Sequence, residues 1–240
     1  MPPFQETFDL IAVINIPDRK DRYRECLREL KMVGLEVTPG KVEFFPGKRV
    51  TTLDGFPTLG ARGGFLAHLA LIREAQRRGV KSLCVFEDDF EISRESVAPL
   101  LKTVEAARTL PWDFLYLGHR LSLPPSPSGL TDTKEPIITA HAFAMRSSVF
   151  EPLAEYLEGC IVRPPGDPIG GPQFIDGGIT MFRERNPSLL TLVANPSRVT
   201  QRSSRSDISP SGFEHIPVIR QAAGLTRQVI NFWKQSRKAV

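Results

Sequence analysis

The chain has little from which to build a covalent framework: three cysteines in 240 residues, Cys26, Cys84 and Cys160, scattered and odd in number. That argues against a disulfide-stapled fold and points to a reducing compartment. Long hydrophobic runs are also lacking. No apolar stretch approaches the ~20 residues that cross a bilayer, and MPPFQETFDL lacks the charged and apolar regions of a signal peptide. A soluble, cytoplasmic protein is expected. There is no zinc-finger spacing and no basic run interleaved with aromatics in the body of the chain, so no nucleic-acid partner is expected. The net charge of +4 suits anionic small molecules equally well.

What is present is a globular composition, 41% hydrophobic and 24% charged, close to the usual averages. Proline is abundant, at 21 residues, and much of it falls in LSLPPSPSGLTDTKEP (121–136) and RPPGDPIGGP (163–172). Loops of that length are usually functional or mobile. Elsewhere short apolar runs alternate with helical patterns. DLIAVINI (9–16) reads as a buried strand ending near Asn15. A helix over 18–33 with Tyr23, Cys26, Leu27 and Leu30 on one stripe is closed by Gly34. KVEFF (41–45) is strand-like. FLAHLALIREAQRR is a largely buried helix ending at Gly79. KSLCVFEDD is a strand tipped with acids, and Ser93 caps the helix after it. WDFLYLG (112–118) and IITAHAFAM (137–145) are strands. Ser148 and Glu151 form a capping box for a helix reaching Leu157. QFIDGGITMF and LLTLVA are apolar segments. This alternation predicts an α/β fold with a mostly parallel central sheet, whose ligands bind beyond the carboxyl ends of the strands. Residues 1–215 are expected to form this domain. Residues 216–240 are expected to be a C-terminal basic amphipathic helix, either packed on the domain or resting on an anionic membrane surface.

The acidic triplet Glu87, Asp88 and Asp89 stands at such a strand end, and three adjacent carboxylates repel one another. In a strand, alternate side chains share a face, so Glu87 and Asp89 converge; if the strand stops at Glu87, Asp88 joins Asp89 instead. Either pair supplies hard oxygen ligands for Mg²⁺ or Mn²⁺, an ion that bridges to a diphosphate. The plainer alternative is that these acids favour the next helix N-terminus or pair with arginines. His141 is a third metal ligand or a core residue. His68 is a hydrogen-bonded core histidine, or else the glycines before it, Gly63 among them, let a nucleotide approach the helix N-terminus. Asp176, flanked by glycines and apolar residues that raise its pKa, is a candidate general base, or a turn former. Arg198, Arg202 and Arg205 are a phosphate clamp or a solvated loop.

Taken in order, VINIPDRKDR, GARGGFLAHLALI, VFEDDFEI, WDFLYLG, HAFAMRSSVFEPL and RSSRSDI resemble glycosyltransferase family 25, the lipopolysaccharide-biosynthesis group that includes collagen galactosyltransferase-like domains. The resemblance spans residues 9–208. It implies a GT-A-like, Rossmann-type single domain with flanking helices, a nucleotide-sugar donor and a divalent metal, Mn²⁺ or Mg²⁺, on the acidic motif. By position, Glu87, Asp88 and Asp89 match the family's metal and donor motif. Asn15, Asp21 and Arg22 fall in the donor-binding region, His68 in the helix motif, and Asp176 where the family usually has an aspartate. Gly64 and Ala67 stand where the family usually has Cys and Ser, and Phe143 where it has Tyr.

The expected activity is therefore inverting transfer of a sugar from a UDP-sugar to a hydroxyl of a glycan, lipid-linked or protein acceptor. Asp176 is the expected base, with Arg202 or Arg205 assisting diphosphate departure, in the cytoplasm or at the inner membrane face. One alternative is a nucleotide-sugar- or glycan-binding protein without turnover. Another is a metal-dependent phosphohydrolase or nucleotidyltransferase, since fold does not fix function; no P-loop lysine motif supports it.

Overall fold

The computed structural model describes residues 3–126 and 128–202. A short helix, α1 (Pro3–Thr7), leads into β1 (Leu10–Asn15), and α2 (Lys20–Met32) carries the chain to β2 (Val42–Pro46). The long α3 (Leu59–Arg77) follows, then β3 (Ser82–Glu87), the two-residue β4 (Phe90–Glu91), α4 (Arg94–Ala107) and β5 (Phe114–Tyr116). After β6 (Leu130–Asp132) and β7 (Ala142–Arg146) come α5 (Phe150–Val162), α6 (Ile175–Arg185), β8 (Thr191–Ala194) and β9 (Thr200–Gln201).

Seven strands form one sheet in the order β2-β1-β3-β7-β5-β8-β6. β2, β1, β3, β5 and β8 run one way, and β7 and β6 run against them. The mostly parallel α/β sheet expected from the sequence is therefore present. Its two faces separate by the period of two that a strand imposes. Leu10, Ala12 and Ile14, with Leu83 and Val85, pack against Phe65 and Ile72 of α3 and against Leu153 and Leu157 of α5. Ile11, Val13, Cys84 and Phe86 pack the opposite way, against Cys26 and Leu30 of α2 and Leu100 and Val104 of α4. A strand covered on both faces reads as an unbroken apolar run, as β1 and β3 do. Each fully buried leucine, isoleucine or phenylalanine there contributes roughly 1.5–3 kcal/mol relative to exposure.

β1 has β2 on one side and β3 on the other, so the strand order reverses between β1 and β3. The carboxyl ends at such a reversal leave a crevice. Asn15 ends β1 and Glu87 ends β3, so the fold itself sets these two residues at the rim.

Several helix ends follow the expected chemistry. The Ser93 hydroxyl caps α4 by accepting from the Ser96 amide, and Gly34 and Gly79 take the positive φ values, 74° and 69°, that favour glycine after α2 and α3. Other expectations need correction. The Ser148–Glu151 capping box does not form: α5 begins after Val149 with no side-chain cap, the Ser148 hydroxyl donates to Asp113, and Glu151 pairs with Arg73. QFIDGGITMF, expected only as an apolar segment, contains the start of helix α6. The proline-rich stretch 121–136 contains β6, which forms an edge by pairing with β8. β7 begins at Ala142 rather than at 137. The expected C-terminal helix over 216–240 and the boundary at 215 lie outside the described residues. Among the described residues, no helix is long and apolar enough to cross a membrane.

Candidate active site

Strand alternation distributes the acidic motif. Glu87 continues the Leu83–Val85 face toward α3, whereas Asp88 turns toward α2 on the Cys84–Phe86 side. Asp88 and Asp89 form the turn between β3 and β4.

Asp88 is held from several sides. Asn15 Nδ2 donates to its Oδ2 at 2.9 Å, Arg22 Nη1 lies 3.6 Å from Oδ1, and its carbonyl accepts from Arg22 Nη1 at 3.2 Å and from Cys26 Sγ at 3.4 Å. Burial raises the Asp88 carboxyl, while the Asn15 hydrogen bond and the Arg22 charge pull it down. Asn15 and Arg22 are both buried, so each supports the acidic turn from beneath. Asp21 faces outward instead. Arg19 grips its carboxylate at 2.9 Å, and that hydrogen bond holds it well below the usual carboxylate range.

Asp89 accepts from Gln201 Nε2 at 2.9 Å through Oδ2, and its carbonyl accepts the Arg202 amide at 2.7 Å. Its Oδ1 is buried with no partner among the described residues. The clasp exists because β9 pairs antiparallel with β4, Gln201 opposite Phe90.

Glu87 titrates far from its ordinary value. Its amide donates to the His141 carbonyl at 3.0 Å, and its side chain retains 28% of its surface. Burial, then the charges of Asp89, Asp176 and Asp88, push its pKa up to about 8. His68 Nε2 lies 3.8 Å from Glu87 Oε1. Burial pushes the imidazole down to about 4, so near pH 7 both groups are neutral and the approach is not an ion pair. His68 Nδ1–H donates to the Gly64 carbonyl at 2.8 Å, which leaves Nε2 as a buried lone pair without a partner among the described residues. The ring stacks on Phe143 at 6.0 Å.

His141 donates from Nε2 to the Val199 carbonyl at 3.1 Å, and its Nδ1 is buried with no partner among the described residues. Gly118 permits this, because a Cβ there would overlap His141 Nε2 and the Val199 carbonyl. Burial lowers the His141 pKa, against the pull of that carbonyl and of the Asp89 charge.

Asp176 lies in the first turn of α6, half-buried, with Oδ1 accepting from the Gly177 amide at 2.8 Å. Burial raises its carboxyl, and its own charge acts on Glu87. The fold thus brings a residue some ninety positions downstream beside the acidic motif.

Three sequence expectations change here. Among the described residues, no three His, Cys, Asp or Glu side chains form a group that holds a metal ion, so Glu87, Asp89 and His141 are not a closed cation cage. Arg202 is not available as a phosphate clamp: its guanidinium donates to Glu25 at 2.6 Å and Glu29 at 2.8 Å, and approaches Glu91 at 3.8 Å. Gly63 lies inside α3, where the Lys48 carbonyl fills the space of a Cβ; the close approach is made by the chain itself. The helix N-terminus lies earlier, at Leu59, where the Thr58 hydroxyl accepts from the Ala61 amide at 2.9 Å. Arg205 lies outside the described residues.

Two residues at the site went unread in the sequence, Gln201 and Arg120. Gln201 was overshadowed by its charged neighbour, yet β-strand alternation turns residue 201 to Asp89 and 202 away. Arg120 follows the WDFLYLG segment, and its Nη2 donates to Gln201 Oε1 at 3.3 Å.

A mostly parallel sheet with an acidic turn at the reversal of strand order defines a GT-A-like α/β fold. The crystal structure of a glycosyltransferase involved in the glycosylation of the major capsid of PBCV-1 superposes with a TM-score of 0.50, at 10% identity, over 82% of this chain and 94% of that one; at that identity the likeness concerns the fold alone.

The sequence relatives are more particular, and they are glycosyltransferase 25 family members, as the motifs led one to expect. The chain is 31% identical to "Probable inactive glycosyltransferase 25 family member 3" of Bos taurus over 49% of its own length and 23% of that protein. It is 29% identical to "Procollagen galactosyltransferase 2" of Mus musculus over 49% of its length and 22% of that protein. The match therefore spans less than a quarter of these relatives. No family model matches the chain.

Proposed function

We propose that the protein is a glycosyltransferase that moves a sugar from a UDP-sugar to an acceptor hydroxyl with inversion at the anomeric carbon. The observation that carries this reading is the state of the acidic turn: three carboxylates and burial act on Glu87, which is pushed up to about 8, and Asp89 Oδ1 is buried without a partner among the described residues. Such a site calls for an added positive group. A Mg²⁺ or Mn²⁺ ion is commonly held by one or two carboxylates with the rest supplied by substrate phosphates. The donor set fits that arrangement, with Asp89 and Glu87 as the residues that would hold the ion, and it does not fit a cage built from protein alone. When bound, such an ion offsets the charge that builds on a departing diphosphate.

The chain's own residues supply the remainder. Asn15 and Arg22 fix Asp88 and hence the turn. Asp176 accepts the proton of the acceptor hydroxyl as its oxygen bonds to the sugar C1. The C1–oxygen bond to the diphosphate breaks with its electron pair going to UDP, so proton and charge balance. A carboxyl raised by burial is suited to that task. The acceptor is a glycan, lipid-linked or protein hydroxyl. The reading includes a cytoplasmic setting, supported by three buried cysteines that remain free thiols.

A second reading, a nucleotide-sugar binder without turnover, is favoured by the names of three relatives that are called inactive. The test is calorimetric titration of UDP in Mn²⁺ and in EDTA, for wild type and Asp89→Asn, followed by UDP release from UDP-sugars. Binding that needs both Mn²⁺ and Asp89 supports the donor reading. Absence of UDP binding in every condition sinks it, and binding without sugar release selects the second reading.

A further inference from the structure

The acidic turn has a cation beside it that the foregoing reading leaves without a task. Arg120 is exposed, and among the described residues no carboxylate is paired with it. Its one hydrogen bond there is donated to Gln201 Oε1 at 3.3 Å, and Gln201 Nε2 in turn donates to Asp89 Oδ2 at 2.9 Å. The amide is thereby polarised in one sense, oxygen toward the guanidinium and N–H toward the carboxylate. Reversing it would set like polarity against both neighbours, so Gln201 fixes Arg120 at one side chain's distance from Asp89. An arginine carries five N–H donors, which leaves most of this fork directed to solvent at the mouth of the site. The charge of Arg120 is felt by Asp176 and by His141, which sets it over the same crevice. The other arginines around the turn are engaged: Arg22 with Asp88, and Arg202 with Glu25 and Glu29.

We propose that Arg120 contacts the diphosphate of the donor, with Gln201 as the residue that positions it against Asp89. This rests on the donor reading above. A ligand that satisfies both an exposed guanidinium fork and the unpartnered Asp89 Oδ1 carries negative charge of its own and brings a cation with it, and a nucleoside diphosphate does both. The planar fork matches phosphate oxygens two at a time. The role foreseen for Arg202 thus passes to a residue on a different loop.

The test compares UDP and uridine, both with Mn²⁺, on wild type and Arg120→Ala, by calorimetry for UDP and ligand-observed NMR for uridine. The expected result is UDP affinity weakened about 10- to 100-fold, the range for a charged hydrogen bond, with uridine affinity unchanged. Wild type that binds UDP together with a variant that binds it equally well overturns the assignment of Arg120 and leaves the donor reading standing. Equal losses for UDP and uridine also overturn it, since Arg120 then only maintains structure. Wild type that does not bind UDP overturns the donor reading and this assignment with it.

Discussion

Replacing Glu87 with glutamine removes the group whose ionisation the folded site opposes most. Burial and the neighbouring carboxylates move it from 4.5 to about 8. Between those values the folded chain holds a proton that the unfolded chain has released, so stability falls as pH rises through the window, by ~1.4 kcal/mol per pH unit for one proton. His68 acts in the opposite sense. Burial moves it from 6.5 to about 4, so over that range the unfolded chain holds the extra proton and stability rises with pH. The two slopes oppose each other between about 4.5 and 6.5, and above that Glu87 acts alone, costing ~2 kcal/mol by pH 8. Urea unfolding of the EDTA-treated protein at pH 5, 6.5 and 8.5 reads this directly. Wild type is expected to lose ~2 kcal/mol between the two higher values, and Glu87→Gln to lose well under half of that, the remainder coming from the buried thiols. A wild type equally stable at pH 6.5 and 8.5, or a variant that declines as steeply, would refute the reasoning.

Three further substitutions probe other parts of the site. Gly118→Ala drives a Cβ into the His141 ring and the Val199 carbonyl; overpacking of this kind costs about 1–3 kcal/mol, read as a lower urea midpoint, and an unshifted midpoint would mean that His141 can move aside. Arg202→Ala strips the cation from the largely buried Glu29 and is expected to lower stability by about 3 kcal/mol; a loss under roughly 0.5 kcal/mol would class these pairs with exposed ones. Asp176→Asn should slow sugar transfer about 100-fold or more while UDP affinity holds, and an unimpaired rate would remove Asp176 as the base.

How much of this was legible depended on how local the cause is. β1 and β3 announce themselves because both faces of the sheet are covered, and the Ser93 cap is a matter of one hydroxyl and an amide three residues on. β6 and β9 give no such signal. They are three and two residues long, too short for a period, and exist because of strands distant in sequence. Gly177 and Gly178 argue against a helix by propensity, yet α6 forms there. Gly178 lies against Phe65 and Leu157, a reason that only the packed structure contains. Ser148 and Glu151 have the right spacing for a capping box but find stronger partners in Asp113 and Arg73. At the site, the acidic motif and Asp176 were readable as residue types. Which of Gln201 and Arg202 meets Asp89 is decided by register, which charge and composition do not reveal.

The pairing of β9 with β4 has a bearing on the order in which the molecule is completed. A chain emerging from the ribosome delivers β1, β2, β3 and all three motif carboxylates early, whereas the amide that clasps the Asp89 side chain follows 112 positions later. Until then Asn15 and Arg22 hold the Asp88 half of the turn, while the Asp89 half lacks its Gln201 clasp. A chain halted before Val199 would already contain most of the strands and helices of the apolar core, but would lack the Gln201 bridge and the Val199 carbonyl that holds His141. Such a product would hold most of the core's elements without the clasp that completes the acidic turn.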